Sequence, residues 1–313
     1  MKKILFTVLA TISLWACAQE VEVPVSSQLP LADPFILCHG DQYYAYGTGE
    51  PGFRVYVSRD LRNWEKRGIA LDLNQSWGTK QFWAPEVYYS PERQRFYLFY
   101  SAEEHICVAT SDHPAGPFRQ AEQRPIREEK GIDASLFVDD DGTPYLYFVR
   151  FTDGNVIWAA QMDDTLTSIR EETLTECVKA LEPWERDMGK VAEGPSVLKE
   201  GGRYYLLYSA NDYRSPNYGV GYATAPTPLG PWTKYPGNPI LQKGLPSAGA
   251  LTGVGHGAPF RALDGQRMYV FHAHHADTLI HPRMSYIQTS LSLEKDGTMH
   301  MTGAVLAPVI SAQ

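Results

Sequence analysis

A short aromatic strand recurs five times along this chain, and few architectures accommodate such a recurrence. The copies are Tyr43-Tyr44-Ala45-Tyr46, Phe96-Tyr97-Leu98-Phe99-Tyr100, Tyr145-Leu146-Tyr147-Phe148, Tyr204-Tyr205-Leu206-Leu207-Tyr208 and Met268-Tyr269-Val270-Phe271. Counted from Tyr44, Tyr97, Tyr145, Tyr205 and Tyr269, the intervals are 53, 48, 60 and 64 residues, the scale of a four-stranded propeller blade and not of a helical repeat. Each copy follows a turn with hairpin chemistry, such as Asp139-Asp140-Asp141-Gly142 or Leu263-Asp264-Gly265-Gln266, so the aromatic run reads as the second strand of a hairpin. A third strand is expected over 54–58, 105–111, 156–161, 219–224 and 284–289. The ends Pro114-Ala115-Gly116-Pro117-Phe118 and Pro228-Leu229-Gly230-Pro231-Trp232 predict a fourth, outer strand beginning at an aromatic, with Leu61-Arg62-Asn63-Trp64 a looser version. Five units of about 59 residues predict an all-β, five-bladed β-propeller forming one domain over residues 31–313. Residues 168–180 read either as helix or as strand plus loop.

Composition agrees with this reading. The 7 Trp, 19 Tyr and 12 Phe with 26 Gly and 22 Pro favour many short strands and exclude an all-helical bundle. A net charge of −8 has the wrong sign for neutralising phosphates, which excludes nucleic acid as a partner. Lys2 and Lys3 before the apolar run Ile4 to Ala16 read as a secretion signal over residues 1–18, and the protein is expected to be exported. Two processing readings stand: Leu14-Trp15-Ala16-Cys17 resembles a bacterial lipoprotein box with Cys17 lipidated, implying an outer-membrane tether, and Ala16-Cys17-Ala18 fits ordinary cleavage into the periplasm. Residues 19–30 then form a short tether. Cys38, Cys107 and Cys177 stand singly, without metal-binding spacing, and are assigned no chemistry.

The first strand of a propeller blade lines the central channel, so its residues were aligned backward from the hairpins. Asp33, Trp83, Asp133, Glu193 and His256 fall at the same place in the five copies. Packing alone would put small or apolar side chains there. Burying one unpaired carboxylate costs several kcal/mol, and crowding three raises the pKa of at least one. That is one way to keep one acid protonated beside another that stays ionised, the requirement of carboxylate-based glycoside hydrolysis. The run His272-Ala273-His274-His275 looks at first like a metal cluster, but it continues a strand and its members cannot all face one way. Asp139-Asp140-Asp141-Gly142 lacks the later bidentate Glu of a calcium loop and reads as a hairpin turn.

The motifs Ala32-Asp33-Pro34, Phe82-Trp83-Ala84-Pro85-Glu86, Ile132-Asp133-Ala134-Ser135, Ala192-Glu193-Gly194-Pro195 and Gly255-His256-Gly257 resemble, in order and over essentially the whole mature chain, glycoside hydrolase family 43, five-bladed propeller arabinases, arabinofuranosidases and xylosidases. The resemblance implies that Asp33 is the general base, Glu193 the general acid and Asp133 the residue that tunes and orients the acid. It implies inversion, with base and acid roughly 6.5–9.5 Å apart. It also implies that Trp83 and Arg283 meet the sugar, and Phe35, beside the base, is taken as a third substrate contact. His256 resembles an axial histidine that binds either an ordered water or a structural calcium held mostly by water; no metal is required for the chemistry. The chain ends shortly after the fifth blade, without the appended sandwich of many β-xylosidases of the family. That tilts the expectation to a monomeric, exo-acting α-L-arabinofuranosidase, with β-D-xylosidase, endo-arabinanase and a non-catalytic carbohydrate-binding propeller as alternatives. A phosphorylase would need basic residues at the five ring positions, which hold none.

Overall fold

The computed structural model describes residues 27–49 and 52–311; the expected signal, Cys17 and most of the tether lie outside them. The described chain forms five antiparallel sheets in sequence order. Blade 1 comprises β1 (Ala32–His39), β2 (Gln42–Thr48), β3 (Phe53–Ser58) and β4 (Asn63–Leu71); blade 2 comprises β5 (Trp83–Ser90), β6 (Arg95–Ala102) and β7 (His105–Ser111). Blade 3 holds β8 (Gly131–Val138), β9 (Pro144–Phe151), β10 (Asn155–Gln161) and β11 (Thr175–Lys179). Blade 4 holds β12 (Ala192–Glu200), β13 (Arg203–Ala210), β14 (Gly219–Ala225), β15 (Thr233–Lys234) and β16 (Leu241–Gln242), and blade 5 holds β17 (Gly255–Arg261), β18 (Arg267–Ala273), β19 (Met284–Leu293) and β20 (Met299–Leu306). This is the expected five-bladed propeller, with the aromatic runs on the second strands. The ring closes at blade 1, where β21 (Val309–Ile310) pairs parallel to β4 and the Leu29 N–H donates to the Pro308 carbonyl.

The aromatic run is buried almost continuously because each blade is packed on both faces. Tyr46, Tyr100, Tyr147, Tyr208 and Tyr269 are essentially fully buried between sheets, and each such side chain removed from water contributes roughly 1.5–3 kcal/mol. Their hydroxyls need partners when buried. Tyr46 donates to the Pro114 carbonyl and Tyr147 to the Pro228 carbonyl (2.5 Å), so the two near-identical proline-glycine turns are docking points for tyrosines of the preceding blade.

The outer strands are shorter than expected. After Phe118 only a single Thr110–Arg119 bridge forms, because the Phe118 N–H is taken by the Ala70 carbonyl of blade 1; after Trp232 the strand is the two-residue β15. Residues 168–180 resolve as a short 3-10 turn over Glu171–Thr173 followed by β11, the strand-plus-loop alternative.

Candidate active site

All five inner strands carry a break in register at one place: between Ala32 and Phe35, Trp83 and Glu86, Ile132 and Ser135, Glu193 and Ser196, and Gly255 and Ala258. Within each bulge one residue is left-handed: Asp33 (φ 49°), Ala84 (45°), Asp133 (59°), Gly194 (54°) and His256 (41°). Non-glycine residues adopt this region rarely, and when they do it marks a functional or strained position. The bulge corrects the sequence alignment. Asp33, Asp133 and His256 are equivalent, but Trp83 and Glu193 stand one residue earlier, with Ala84 and Gly194 in the ring position. Gly194 suits its place twice over, through its positive φ and because a Cβ there would lie 2.9 Å from the His256 ring.

Each left-handed N–H leaves its own ladder and reaches the preceding blade. Ala84 donates to Thr48 Oγ1 (3.0 Å), Asp133 to Ser101 Oγ (3.0 Å), His256 to Ser209 Oγ (2.7 Å) and Asp33 to His272 Nδ1 (3.1 Å). In the fifth case the Gly194 N–H donates to the carboxylate of Asp133 at Oδ2 (3.1 Å). This ring of bonds ties each inner strand to the blade before it.

Asp33 is 9% exposed. Its Oδ1 accepts from Arg283 Nη1 (3.1 Å) and lies 3.5 Å from His256 Nδ1, and its Oδ2 accepts from the Thr48 hydroxyl. Burial by itself pushes this carboxyl up, but the Arg283 guanidinium and then the His256 imidazole outweigh burial and hold it well below the usual carboxylate range. Asp33 is a carboxylate at any physiological pH. His272, fully buried, is driven down to about 3 by desolvation and by Arg283; it is a neutral ring whose Nδ1 is free to accept the Asp33 N–H.

Glu193 and Asp133 shift the other way. Glu193 is pushed up to about 7, chiefly by burial and then by the Asp133 charge, although Tyr218 donates to Oε1 (2.8 Å) and Asn155 Nδ2 to Oε2 (2.8 Å). Asp133 is also pushed up to about 7, by burial and then by Asp33, with the Gly194 N–H as a partial offset. His256 Nδ1 is 4.0 Å from Asp133 Oδ2, so one imidazole edge lies between the two aspartates. The group therefore holds one carboxyl ionised and two poised to keep a proton near neutrality.

The three acids line one cavity of about 340 Å³, together with Trp83, Ile132, Asn155, Val191, Asp212, Tyr213, His256 and Arg283. Trp83 and Arg283 are thus brought to the site as expected, Arg283 largely buried with its guanidinium also 4.9 Å from the Tyr213 ring centre. Phe35 is not. It lies two residues further along β1, on the other side of the bulge, packs on Tyr88 (5.3 Å) and lines separate cavities with Leu136 and Phe137. Glu86, equivalent to Phe35 by the bulge, also lies past the site; Tyr88 donates to it, and burial pushes it up to about 8.

Among the described residues, no three His, Cys, Asp or Glu side chains gather to hold a metal directly. The carboxylates near His256 are already engaged by Arg283, Thr48 and Gly194, so an ion at His256 would take its remaining ligands from water. The histidine run divides: His272 Nδ1 accepts the Asp33 N–H, His274 Nε2 lies 2.6 Å from the Tyr213 carbonyl, and His275 is exposed. Asp139 sits in the β8–β9 turn, bound by Lys199 and Tyr204. Cys107 is buried, with its thiol pushed up to about 12.

Thr48, Asn155, Tyr218 and His272 were not anticipated. A signal existed for two of them: the aromatic run is followed by Ser101, Val149, Ser209 and His272 in four copies and, after an intervening Gly47, by Thr48 in the first, so the closing residue is polar in four of five copies. Nothing in the repeat marks Asn155 or Tyr218, which reach Glu193 from β10 and from the turn before β14.

The sequence model of Glycosyl hydrolases family 43 matches residues 22–299. The structure of endo-1,4-beta-xylanase from Bacteroides thetaiotaomicron VPI-5482 superposes with a TM-score of 0.88 at 56% identity, over 91% of this chain and 98% of its own. Extracellular exo-alpha-(1->5)-L-arabinofuranosidase ArbA of Cellvibrio japonicus is 25% identical over 80% of this chain and 81% of its own. Xylan 1,3-beta-xylosidase of Vibrio sp is 31% identical over 72% of this chain and 44% of its own.

Proposed function

The chain belongs to glycosyl hydrolase family 43, and on that premise we propose that it is an inverting, exo-acting α-L-arabinofuranosidase. The observation that carries the reading is one small cavity holding a carboxylate kept ionised beside a carboxyl kept protonated. Asp33 takes a proton from water as it attacks the anomeric carbon. Glu193 gives its proton to the leaving oxygen, and the two groups return to their starting states by exchange with solvent. Asp133 acts on the acid, raising it by charge and holding the Gly194 amide next to it. Trp83, Ile132 and Val191 supply apolar wall, and the buried Arg283 Nε, without a protein partner, suits a sugar hydroxyl. A volume near the lower end of the roughly 300–1,000 Å³ typical of small-ligand sites favours one terminal sugar over a polymer threaded through. The exported location rests on the N-terminal pattern and on the relative named as extracellular.

A second reading, action on β-xylosyl linkages, is favoured by the 56% identity to a xylanase. A panel of aryl glycosides separates the two. Turnover of the α-L-arabinofuranoside with inversion at the anomeric carbon supports the first; turnover of the β-D-xyloside alone replaces it with the second. Binding of oligosaccharides without turnover of any substrate would make the chain a carbohydrate-binding propeller.

A further inference from the structure

Blades 1 and 3 place an aspartate at the same left-handed position, and they differ in the second-strand residue that pairs opposite the position just before it. In blade 1 that residue is Thr48, paired across the strands with Ala32; in blade 3 it is Val149, paired in the same way with Ile132. The Thr48 oxygen accepts the Ala84 N–H, so its orientation is set by a backbone amide of the next blade, and its single proton is committed to Asp33 Oδ2. Val149 is fully buried and has neither donor nor acceptor. The equivalent amide, that of Gly194, bonds to Asp133 directly.

We propose that Thr48 is a positioning residue for Asp33, and that Val149, its counterpart, is what hands the Gly194 amide to Asp133 and ties that aspartate to the backbone of Glu193. The inference rests on the reading of Asp33 as base and Glu193 as acid. The groups facing Asp33 are Arg283, His256 and His272 at its oxygens, with Asp133 across the axis and Tyr218 behind His272. Thr48 adds a neutral hydroxyl that donates to Asp33 Oδ2, whereas the Tyr218 hydroxyl donates to Glu193. Asp133 has no such hydroxyl from its own second strand, and the amide it receives belongs to the residue after the acid.

The test uses the intact protein and the variants Thr48→Val and Thr48→Ser, read by kcat/KM against pH and by carbon NMR titration of the Asp33 carboxyl. Loss of the donor in Thr48→Val is expected to raise the Asp33 titration and the acidic limb together by roughly 0.5–1 pH unit, with Thr48→Ser restoring both. An Asp33 titration unmoved in Thr48→Val, or moved equally in Thr48→Ser, overturns the role of Thr48. For blade 3, the Gly194 amide proton shift is expected to titrate with Asp133 in the wild type and in Val149→Ala, and to stop doing so in Val149→Thr, where a hydroxyl intercepts the amide. Unchanged titration in Val149→Thr overturns the role of Val149. Because the NMR readouts need no turnover, shifted titrations in a protein that cleaves nothing would leave this inference standing and remove the proposed activity.

Discussion

Blades 1 and 3 begin from the same backbone and arrive at opposite carboxyls. Asp33 and Asp133 both sit in a bulge on an inner strand, both with positive φ, and both are almost completely buried. Desolvation acts on each in the same direction. What separates them is the company. Asp33 has a guanidinium and an imidazole on one oxygen and a hydroxyl on the other; Asp133 has one amide and the charge of Asp33, with His256 farther off at 4.0 Å and Arg283 only its smallest offset. Burial in a propeller channel therefore does not decide whether a carboxyl stays ionised or keeps its proton. The residues that neighbouring blades send toward it decide that, and a repeat fold supplies five sets of neighbours around one axis.

The largest effects should come from removing the groups that this contrast prepares. Glu193→Gln and Asp33→Asn each change one atom and are expected to lower kcat by about 10²–10⁴-fold with circular dichroism and thermal midpoint little altered. Retained activity in both would mean that the two carboxyls are not the reacting pair. Asp133→Asn removes the negative neighbour that helps raise Glu193, so the basic limb of the kcat/KM profile should move down from about 7 toward the ordinary Glu range, with kcat lower by about ten- to a hundredfold. A basic limb that stays in place would show that burial alone sets the acid.

Arg283→Gln attacks the contrast from the other side. The guanidinium lowers Asp33, so its loss should raise the base and shift the acidic limb of kcat/KM upward, bringing Asp33 nearer to Asp133. A limb that does not move would mean that His256 and Thr48 suffice. The smallest effect is expected at Phe35→Leu, which lies beyond the bulge. KM and kcat should stay within about twofold while unfolding shows a loss of about 1 kcal/mol, since a smaller side chain is left against Tyr88. A large rise in KM would return Phe35 to the sugar site.

The propeller was legible because its cause is periodic. Five aromatic second strands, each after a turn, can close only as a ring of sheets, and Asp33, Asp133, Glu193, Trp83 and Arg283 do converge on one cavity. The one-residue offset of Trp83 and Glu193 was not legible, because the bulge that produces it is a backbone event shared by all five strands, and Asp33-Pro34 and Glu193-Gly194-Pro195 can be slid past one another without penalty in sequence. Phe35 was misplaced for the same reason: adjacency in the chain carries it through the bulge to a different cavity. Thr48 and His272 were readable in principle as the polar residues that close four of the five aromatic strands. Asn155 and Tyr218 act through contacts 38 and 25 residues distant in sequence, and no local pattern announces them.

The most direct measurement is a carbon NMR titration of protein labelled at the aspartate carboxyls, with Asp33→Asn and Asp133→Asn used to assign the two signals. The structure requires the Asp33 signal to remain that of a carboxylate through the acidic range and the Asp133 signal to change near pH 7. Two signals titrating together in the ordinary aspartate range would contradict the account.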